Sequence, residues 1–436
     1  MAEIRPFRAL RFTPAAGPME ELVCPPYDII SESQRQAYLA RNPHNIIRLE
    51  LPRDGADPYQ EAGATLRRWI AEGILRQDDR PALYVYEIEF SVDGSSDISG
   101  MHGGRRSVMG LIGLVKLEEF EKGIILPHEE TLSKAKADRF NLMKATNCNF
   151  SDIYALYMDD GGEEEALDIL SLVSRGRPVT ELTDEAGLVH RLWAIDDEGI
   201  IAKIQAHLAD TKLYIADGHH RYETALNYRN YLREQGVPEG TAADYVMMML
   251  VEMSHPGLVV FPTHRMVRGL SSFDAEAVLS ACEPYFDLLR GADVSSMDEA
   301  LEHAYRDGKH AFGFYTGGDT FTLLTLRDPA VMDTLLPQLS PASRALDVTI
   351  LHTLVLERLM GIDKENMANQ TNLTYTRDLS EALDGVRSGG FQCSFILNPT
   401  RVSEIRDVAS AGEKMPQKST YFYPKLITGL TMNKLD

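Results

Sequence analysis

The stretch "KLYIADGHHRYETAL", residues 212–226, decides the fold, because a strand pattern changes into a helix pattern inside it. The apolar run "KLYIA" predicts a strand, and a helix is predicted from the two histidines to about Gln235. Gly218 stands between them and lets the backbone turn sharply. Strand and helix patterns are mixed along the whole chain, so the predicted fold class is α/β (α+β).

The turn itself carries an unusual set of side chains: Asp217, Gly218, His219, His220 and Arg221 follow one another. A helix N-terminus presents free N–H groups and a partial positive charge, which together bind anions. The arginine adds a fork for phosphate oxygens, and the aspartate is a ligand for Mg²⁺. We predict a phosphate cradle with a metal ligand. The alternatives are an ordinary helix cap and a zinc site, although the usual i, i+4 histidine spacing is absent.

A second stretch, "ILPHEET", places His128, Glu129 and Glu130 just before a predicted helix that starts at about Glu130. Glu130 is interpreted as a helix cap. Glu129 is a candidate general base, because a carboxylate can take a proton from a hydroxyl group while the neighbouring imidazole orients it.

A third stretch, "KMPQKSTYFYPKL", joins one cation and two hydroxyls, Lys418, Ser419 and Thr420, to the aromatic residues 421–423. Disordered termini do not usually carry such aromatics, so we expect this segment to be docked on the protein. The functional interpretation is a grip on a carboxylate or phosphate group. The alternative is a packed strand with a solvent-facing lysine.

A fourth stretch, "FPTHR", ends an apolar strand with His264 and Arg265, which are candidates for positions behind a phosphate site or on it. Other polar residues are interpreted as structural or as rim residues. They are Asp28, Asn45, Arg48 and Glu50.

The chain has 436 residues, and a second pattern of helices and strands starts near residue 270. We therefore predict two domains, residues 1–270 and 271–436. In the first, "YVMMMLVEM" and "LVVFPTHRMV" are predicted core strands, with Met247, Met248 and Met249 filling the core. In the second, "SRALDVTILHTLVLERLMG" is predicted to form one helix.

The net charge of −21 indicates that the protein does not bind nucleic acid. No uncharged apolar run is long enough for a membrane span, and the first residues do not resemble a secretory signal. The four cysteines lie far apart without a C-x-x-C pair, which fits a reducing cytoplasm. These features predict a cytoplasmic protein with small-molecule partners.

Three of these stretches, in this order, resemble the free serine kinases of the ParB/sulfiredoxin-like superfamily. They are "PHE" at Pro127–Glu129, "DGHHR" at Asp217–Arg221 and "PQKST" at Pro416–Thr420. The whole chain also resembles a bacterial family of proteins of unknown function related to those kinases. In the kinases the first motif lies near the N-terminus, whereas here a long segment precedes it.

The resemblance implies a ParB/sulfiredoxin-like nucleotide-binding core with an N-terminal extension, followed by a C-terminal domain that carries the substrate-binding tail. It implies that Glu129 is the base, that the segment from Asp217 to Arg221 binds Mg²⁺ and nucleotide phosphates, and that Lys418, Ser419 and Thr420 hold the amino acid. The implied reaction is phosphoryl transfer between ATP or ADP and L-serine, giving O-phosphoserine, or its reverse. Two alternatives stay open: a ParB-like nucleotide-binding switch, and a metal-dependent phosphoserine phosphatase.

Overall fold

The structure is a computed structural model that describes residues 2–92, 104–129, 131, 133–159 and 166–435. The Gly/Ser-rich stretch "SVDGSSDISGMHGGRR", residues 91–106, is typical of a long loop, but it lies mostly outside the described residues, as does the predicted helix start at Glu130. Strands and helices are numbered in chain order. The strands are β1 (Ile4–Arg5), β2 (Leu10–Phe12), β3 (Leu75–Gln77), β4 (Leu83–Val92), β5 (Gly104–Lys116), β6 (Ile125–Leu126), β7 (Cys148–Asn149), β8 (Ile153–Tyr157), β9 (Thr180–Thr183), β10 (Val189–Ile195), β11 (Leu213–Asp217), β12 (Tyr245–Glu252), β13 (Val259–Phe261), β14 (His264–Val267), β15 (Phe286–Asp293), β16 (Ala311–Tyr315), β17 (Thr320–Leu326), β18 (Leu373–Thr376), β19 (Cys393–Ile396), β20 (Tyr421–Tyr423) and β21 (Asn433–Lys434).

The helices are α1 (Met19–Leu22), α2 (Glu32–Arg41), α3 (Ile47–Glu50), α4 (Pro58–Ala71), α5 (Ser133–Thr146), α6 (Ala166–Val173), α7 (Glu198–Leu208), α8 (His219–Glu234), α9 (Ala275–Cys282), α10 (Met297–Arg306), α11 (Val331–Leu335), α12 (Pro341–Arg344), α13 (Asp347–Ile350), α14 (Lys364–Asn369), α15 (Leu379–Arg387) and α16 (Val402–Ser410). A π-helix, Leu351–Leu359, continues directly from α13. Within the part of the chain that the structure describes, no helix combines the length and apolar character needed to cross a membrane.

The larger sheet is mixed and, over the described residues, has nine strands. Its order is β6-β11-β8-β12-β5-β4-β10-β9, with β1 also paired to β5. The β11–β6 and β12–β8 pairs are parallel, whereas β4 and β5 pair antiparallel. The mixed α/β class is thus confirmed; the ParB/sulfiredoxin-like core stays a prediction.

Both faces of this sheet are buried, and β12 contributes side chains to the core on each face. Met247 and Met249 pack in one core and Met248 in the other, because successive side chains of a strand point to opposite faces. All three methionines are fully buried, which confirms their predicted role as core filling.

A second, smaller sheet has six described strands in the order β15-β17-β16-β19-β14-β18. Its strands run from residue 264 to 396, whereas those of the larger sheet end at Glu252. The division of the chain into domains at residue 270 stays a prediction.

Two predicted elements were wrong in their extent. The stretch "LVVFPTHRMV" is not one strand: it breaks at Pro262 into β13 and β14, which belong to different sheets. Proline has no N–H group for a strand ladder, so the chain changes partners there. The predicted long helix after Ser343 is also interrupted, and becomes α12, α13 and the π-helix.

The C-terminal segment returns to the larger sheet, which confirms its predicted docking. Strand β20 pairs antiparallel with β13, and β21 pairs with β7. Phe422 is only 1% exposed and packs in the core on one face of the larger sheet. The three predicted motifs are therefore brought to one region by the tail.

Candidate active site

A cavity of about 350 Å³ lies where the larger sheet, the tail and the edge of the smaller sheet meet. Residues from all three predicted motifs face it. The lining residues are Tyr27, Asp28, Ile29, Glu129, Ala216, Asp217, Gly218, His219, His220, Arg221, Thr263, Tyr375, Thr376, Arg377, Lys418, Thr420, Tyr421 and Lys425.

The pairing of β6 with β11 explains why Glu129 and Asp217 share this cavity. The two strands are parallel neighbours, with Leu126 opposite Tyr214. Parallel strands end at the same edge of a sheet, so the residues that follow each strand come together. Glu129 follows β6 and Asp217 ends β11.

Helix α8 directs its N-terminus towards the same cavity. Gly218 is its N-cap residue and has a φ of 91°, a left-handed conformation that favours glycine. No described side chain caps this end of the helix. The amides of the first turn are therefore available to an anion, and the helix dipole adds positive potential.

Asp217 forms an ion pair that the sequence reasoning missed. Its Oδ2 atom lies 2.7 Å from Nζ of Lys425, and its Oδ1 atom lies 3.7 Å from a guanidinium nitrogen of Arg221. Burial alone would raise the pKa of Asp217, but the charges of Lys425 and Arg221 outweigh it and hold the pKa well below its usual range. The Lys425 ammonium also lies 4.4 Å from the ring centre of Tyr421.

Glu129 also lines the cavity and is held by the tail. Its Oε1 atom accepts a hydrogen bond of 2.9 Å from the backbone N–H of Lys418. Burial raises the pKa of Glu129, although the bond from Lys418 and the charge of that side chain offset part of the effect. A carboxylate with a raised pKa is a better proton acceptor near neutral pH.

Lys418 has a backbone φ of 57°, which is left-handed and uncommon for a residue with a side chain. Its N–H is bound to Glu129, and its carbonyl accepts a bond of 3.1 Å from Arg265. Its exposed side chain lines the cavity. The two backbone bonds thus hold this conformation.

His128 does not line the cavity but stands behind it, and its ring is 1% exposed. Nδ1 lies 2.6 Å from the carbonyl oxygen of Ile215, and Nε2 lies 3.0 Å from Oγ1 of Thr420. Burial lowers the pKa of His128 to about 4, so the ring is neutral at pH 7. Its backbone N–H donates to Nε2 of His219 over 3.2 Å, which leaves that ring nitrogen unprotonated.

Arg221 packs against the turn at Gly218. Its guanidinium donates to the backbone carbonyl of Asp152, and it packs where a side chain on Gly218 would stand. A Cβ atom at residue 218 would lie 2.9 Å from Nε of Arg221. The guanidinium therefore fills the space that the glycine leaves open.

Three further predicted residues, like His128, are not brought to the cavity wall. The hydroxyl of Ser419 donates to the carbonyl of Pro416 over 2.5 Å, within its own loop. His264 is fully buried in β14, and burial lowers its pKa to about 3. Arg265 is 1% exposed and donates to Nε2 of His352 over 3.0 Å. It contacts the carbonyl oxygen of Lys418 and does not reach the cavity itself.

Sequence reasoning missed several wall residues that lie far from the three motifs. Lys425 could have been found as a cation inside the apolar tail "YFYPKLITGL". Asp28, interpreted as a rim residue, does line the cavity. Tyr375 and Arg377 come from the edge of the smaller sheet and follow no recognisable sequence signal.

Mg²⁺ is implied for this site, and Asp217 is its predicted ligand. Within the described residues, no group of three or more His, Cys, Asp or Glu side chains could hold a metal ion. Mg²⁺ nevertheless needs few protein ligands, because waters and substrate phosphates commonly complete its octahedron. A single carboxylate beside an anion site fits that manner of binding.

The model of a protein family of unknown function, DUF1015, matches residues 4–349. The chain belongs to this family. No curated protein matches the DUF1015 chain in sequence.

Solved structures similar to this DUF1015 protein include a conserved hypothetical protein from Pyrococcus furiosus, with 14% identity and a TM-score of 0.35 over 72% of this chain and 93% of that one. A free serine kinase in complex with AMP has 12% identity and a TM-score of 0.37 over 72% and 89% of the two chains. SbnI with a C-terminal truncation, from Staphylococcus aureus, has 10% identity and a TM-score of 0.35 over 73% and 86%. Similarities this low assign neither a fold nor a function.

Proposed function

We propose that this protein is a nucleotide-dependent phosphotransferase whose acceptor is the hydroxyl group of a small amino acid, L-serine first among them. The observation that carries the proposal is the placement of Glu129, a carboxylate with a raised pKa, in one cavity with the uncapped N-terminus of α8. Phosphoryl transfer requires a bound phosphate, neutralised charge and a base for the acceptor hydroxyl.

The phosphate side of the cavity is built from the turn at Gly218. The amides that begin α8, together with His219 and His220, would bind the phosphate oxygens of ATP or ADP. Arg221 would add positive charge from behind the turn, because its guanidinium is already engaged with Asp152 and Asp217. Lys425 supplies a second cation on this side.

Mg²⁺ would be held by Asp217, and when bound it neutralises phosphate charge. Oδ2 of Asp217 is engaged with Lys425, so Oδ1 is the atom better placed to serve a cation. The lysine keeps the carboxylate ionised and oriented before any ligand enters.

Glu129 would take the proton of the serine hydroxyl as the oxygen attacks the terminal phosphorus of the nucleotide. A new P–O bond forms to serine, and the bond from that phosphorus to the bridging oxygen breaks. The nucleotide leaves with one phosphate fewer, and the proton stays on Glu129. In the reverse direction the same carboxyl group returns the proton to serine.

The test is ³¹P NMR of the protein with Mg²⁺ and L-serine, run in parallel with ATP and with ADP. A growing phosphoserine signal supports the proposal and identifies the donor. Glu129→Gln should lower kcat by roughly 10²–10⁴-fold, the usual scale for a lost general base, without loss of nucleotide binding. Glu121→Gln is the control, because Glu121 is exposed and does not line the cavity.

Other outcomes would refute the proposal in different ways. Phosphate released from O-phosphoserine without a nucleotide would indicate a phosphoesterase. Nucleotide binding without any transfer to serine would favour a switch protein. Near-normal turnover by Glu129→Gln would remove Glu129 from the role of base.

A further inference from the structure

Thr420 lines the cavity, and its hydroxyl group lies 3.0 Å from the ring of His128. A hydroxyl has one proton to donate and two lone pairs that accept. The protonation of the His128 ring therefore decides whether Thr420 can donate to a ligand or only accept from it. The partner of each ring nitrogen shows which nitrogen carries the proton.

Nδ1 of His128 must carry a proton, because its partner, the carbonyl oxygen of Ile215 at 2.6 Å, can only accept. Nε2 is then unprotonated as long as the ring is neutral. The ring is 1% exposed, and no carboxylate among the described residues forms a hydrogen bond with it. The carbonyl of Ile215 and the more distant charge of Asp217 therefore offset only part of the cost of charging the ring there. The lowered pKa of His128 agrees with this geometry.

Nε2 of His128 consequently accepts the proton of Thr420 across 3.0 Å. The hydroxyl oxygen of Thr420 can then only accept a hydrogen bond from a ligand in the cavity. Thr376 also lines the cavity, and the proton of its hydroxyl group is likewise used within the protein. That hydroxyl donates to Glu381 and accepts from the N–H of Asp378 over 3.1 Å. Neither threonine can donate to a ligand while these bonds hold.

A carboxylate, or a phosphate group that has lost its protons, brings only acceptors, so it cannot bond to a hydroxyl that has no proton to give. We propose that Oγ1 of Thr420 accepts a hydrogen bond from the α-ammonium group of the amino-acid substrate. This replaces the expectation that Thr420 holds a carboxylate or phosphate, and it rests on the proposed function. In this arrangement the backbone N–H groups at the start of α8 and the lysines bind the anionic groups of the ligands. Thr420 binds the cationic ammonium group.

The experiment compares two ligands and three proteins. 3-Hydroxypropionate is L-serine with hydrogen in place of the ammonium group. Dissociation constants of both compounds are measured by NMR titration for the full chain and for Thr420→Val and Thr420→Ser, with kcat/KM for L-serine recorded alongside. Valine keeps the shape of threonine without its oxygen, and serine keeps the oxygen.

We expect the unmodified protein to bind L-serine more tightly than 3-hydroxypropionate. Thr420→Val should weaken L-serine binding on the order of 10- to 100-fold, the scale of a hydrogen bond to a charged group. It should change 3-hydroxypropionate binding by no more than about twofold, because that ligand lacks the donor. Thr420→Ser should restore most of the selectivity.

An equal loss for both ligands in Thr420→Val would overturn the inference, since it would indicate a general structural effect. Equal binding of both ligands by the unmodified protein would overturn it as well. Selective binding of L-serine that is lost in Thr420→Val, but without phosphoserine formation, would refute the phosphotransferase and leave the ammonium subsite standing.

Discussion

Replacing Gly218 by alanine tests the turn on which the proposed phosphate site depends. The residue has a φ of 91°, and a left-handed conformation costs an L-residue with a side chain roughly 1–2 kcal/mol. The new Cβ atom would also lie 2.9 Å from Nε and 3.0 Å from two further atoms of Arg221. The side chain of Arg221 is 12% exposed and engaged with Asp152 and Asp217, so it cannot move without breaking those contacts. Forcing an extra carbon atom into a packed site typically lowers the free energy of unfolding by about 1–3 kcal/mol.

Gly236→Ala is the matched control. Gly236 follows the C-terminus of the same helix, its φ is 85°, and a Cβ atom there would meet no atom within 4 Å. Both variants carry the cost of a left-handed alanine and the same change in the unfolded chain. The difference between them therefore isolates the contact with Arg221.

The assay is urea unfolding followed by intrinsic fluorescence, together with calorimetric titration of ATP. We expect Gly218→Ala to lose roughly 1–3 kcal/mol more in free energy of unfolding than Gly236→Ala, and to bind ATP more weakly. Gly236→Ala should bind ATP normally. Equal destabilisation by the two substitutions would refute the idea that Arg221 fills the space beside Gly218.

Two further changes address charges that are largely shielded from solvent. Lys425→Met should lower the free energy of unfolding at pH 7 by roughly 2–4 kcal/mol, because it leaves the largely buried Asp217 without its closest cation. Lys122→Met removes a lysine that is 58% exposed from its pair with Glu118, and should cost less than about 1 kcal/mol; equal losses of the two variants in urea unfolding would contradict this difference. Burial raises the pKa of Asp152 from 3.8 to about 7, so the folded state binds this proton more tightly, and stability from this group is lost as the pH rises from about 4 to 7. Asp152→Asn should remove that slope and stabilise the protein at pH 7 by roughly 2–4 kcal/mol, and an unchanged difference in unfolding free energy between pH 5 and pH 7 would contradict this.

The sequence predicts local features of the site well, because neighbouring residues determine them. The strand that ends at Asp217, the turn at Gly218 and the helix after it all follow from patterns within fifteen residues of chain. The docked tail also follows from its aromatics. The roles of Glu129 and Lys418 in the reaction stay predictions, although the structure does place both at the cavity.

Partners that lie far apart in the chain could not be predicted. Lys425 is separated by 208 positions from Asp217, and its ion pair depends on the docking of the tail between two sheets. The break at Pro262 could have been predicted, because proline has no N–H group for a strand ladder, but the different sheet partners of β13 and β14 could not. Ser419 looks like its neighbours in sequence, yet a hydrogen bond inside its own loop withdraws it from the cavity wall.

The long separation between the parts of the site has a consequence for the order of folding. The bond between Lys418 and Glu129 spans 289 positions, and the one between His128 and Thr420 spans 292. Closing loops of that length is entropically costly, so contacts within α8 and between neighbouring strands should form earlier. The chain would then acquire most of its helices and sheets before it acquires a working cavity. Binding of a ligand in this cavity would then report the last step of folding.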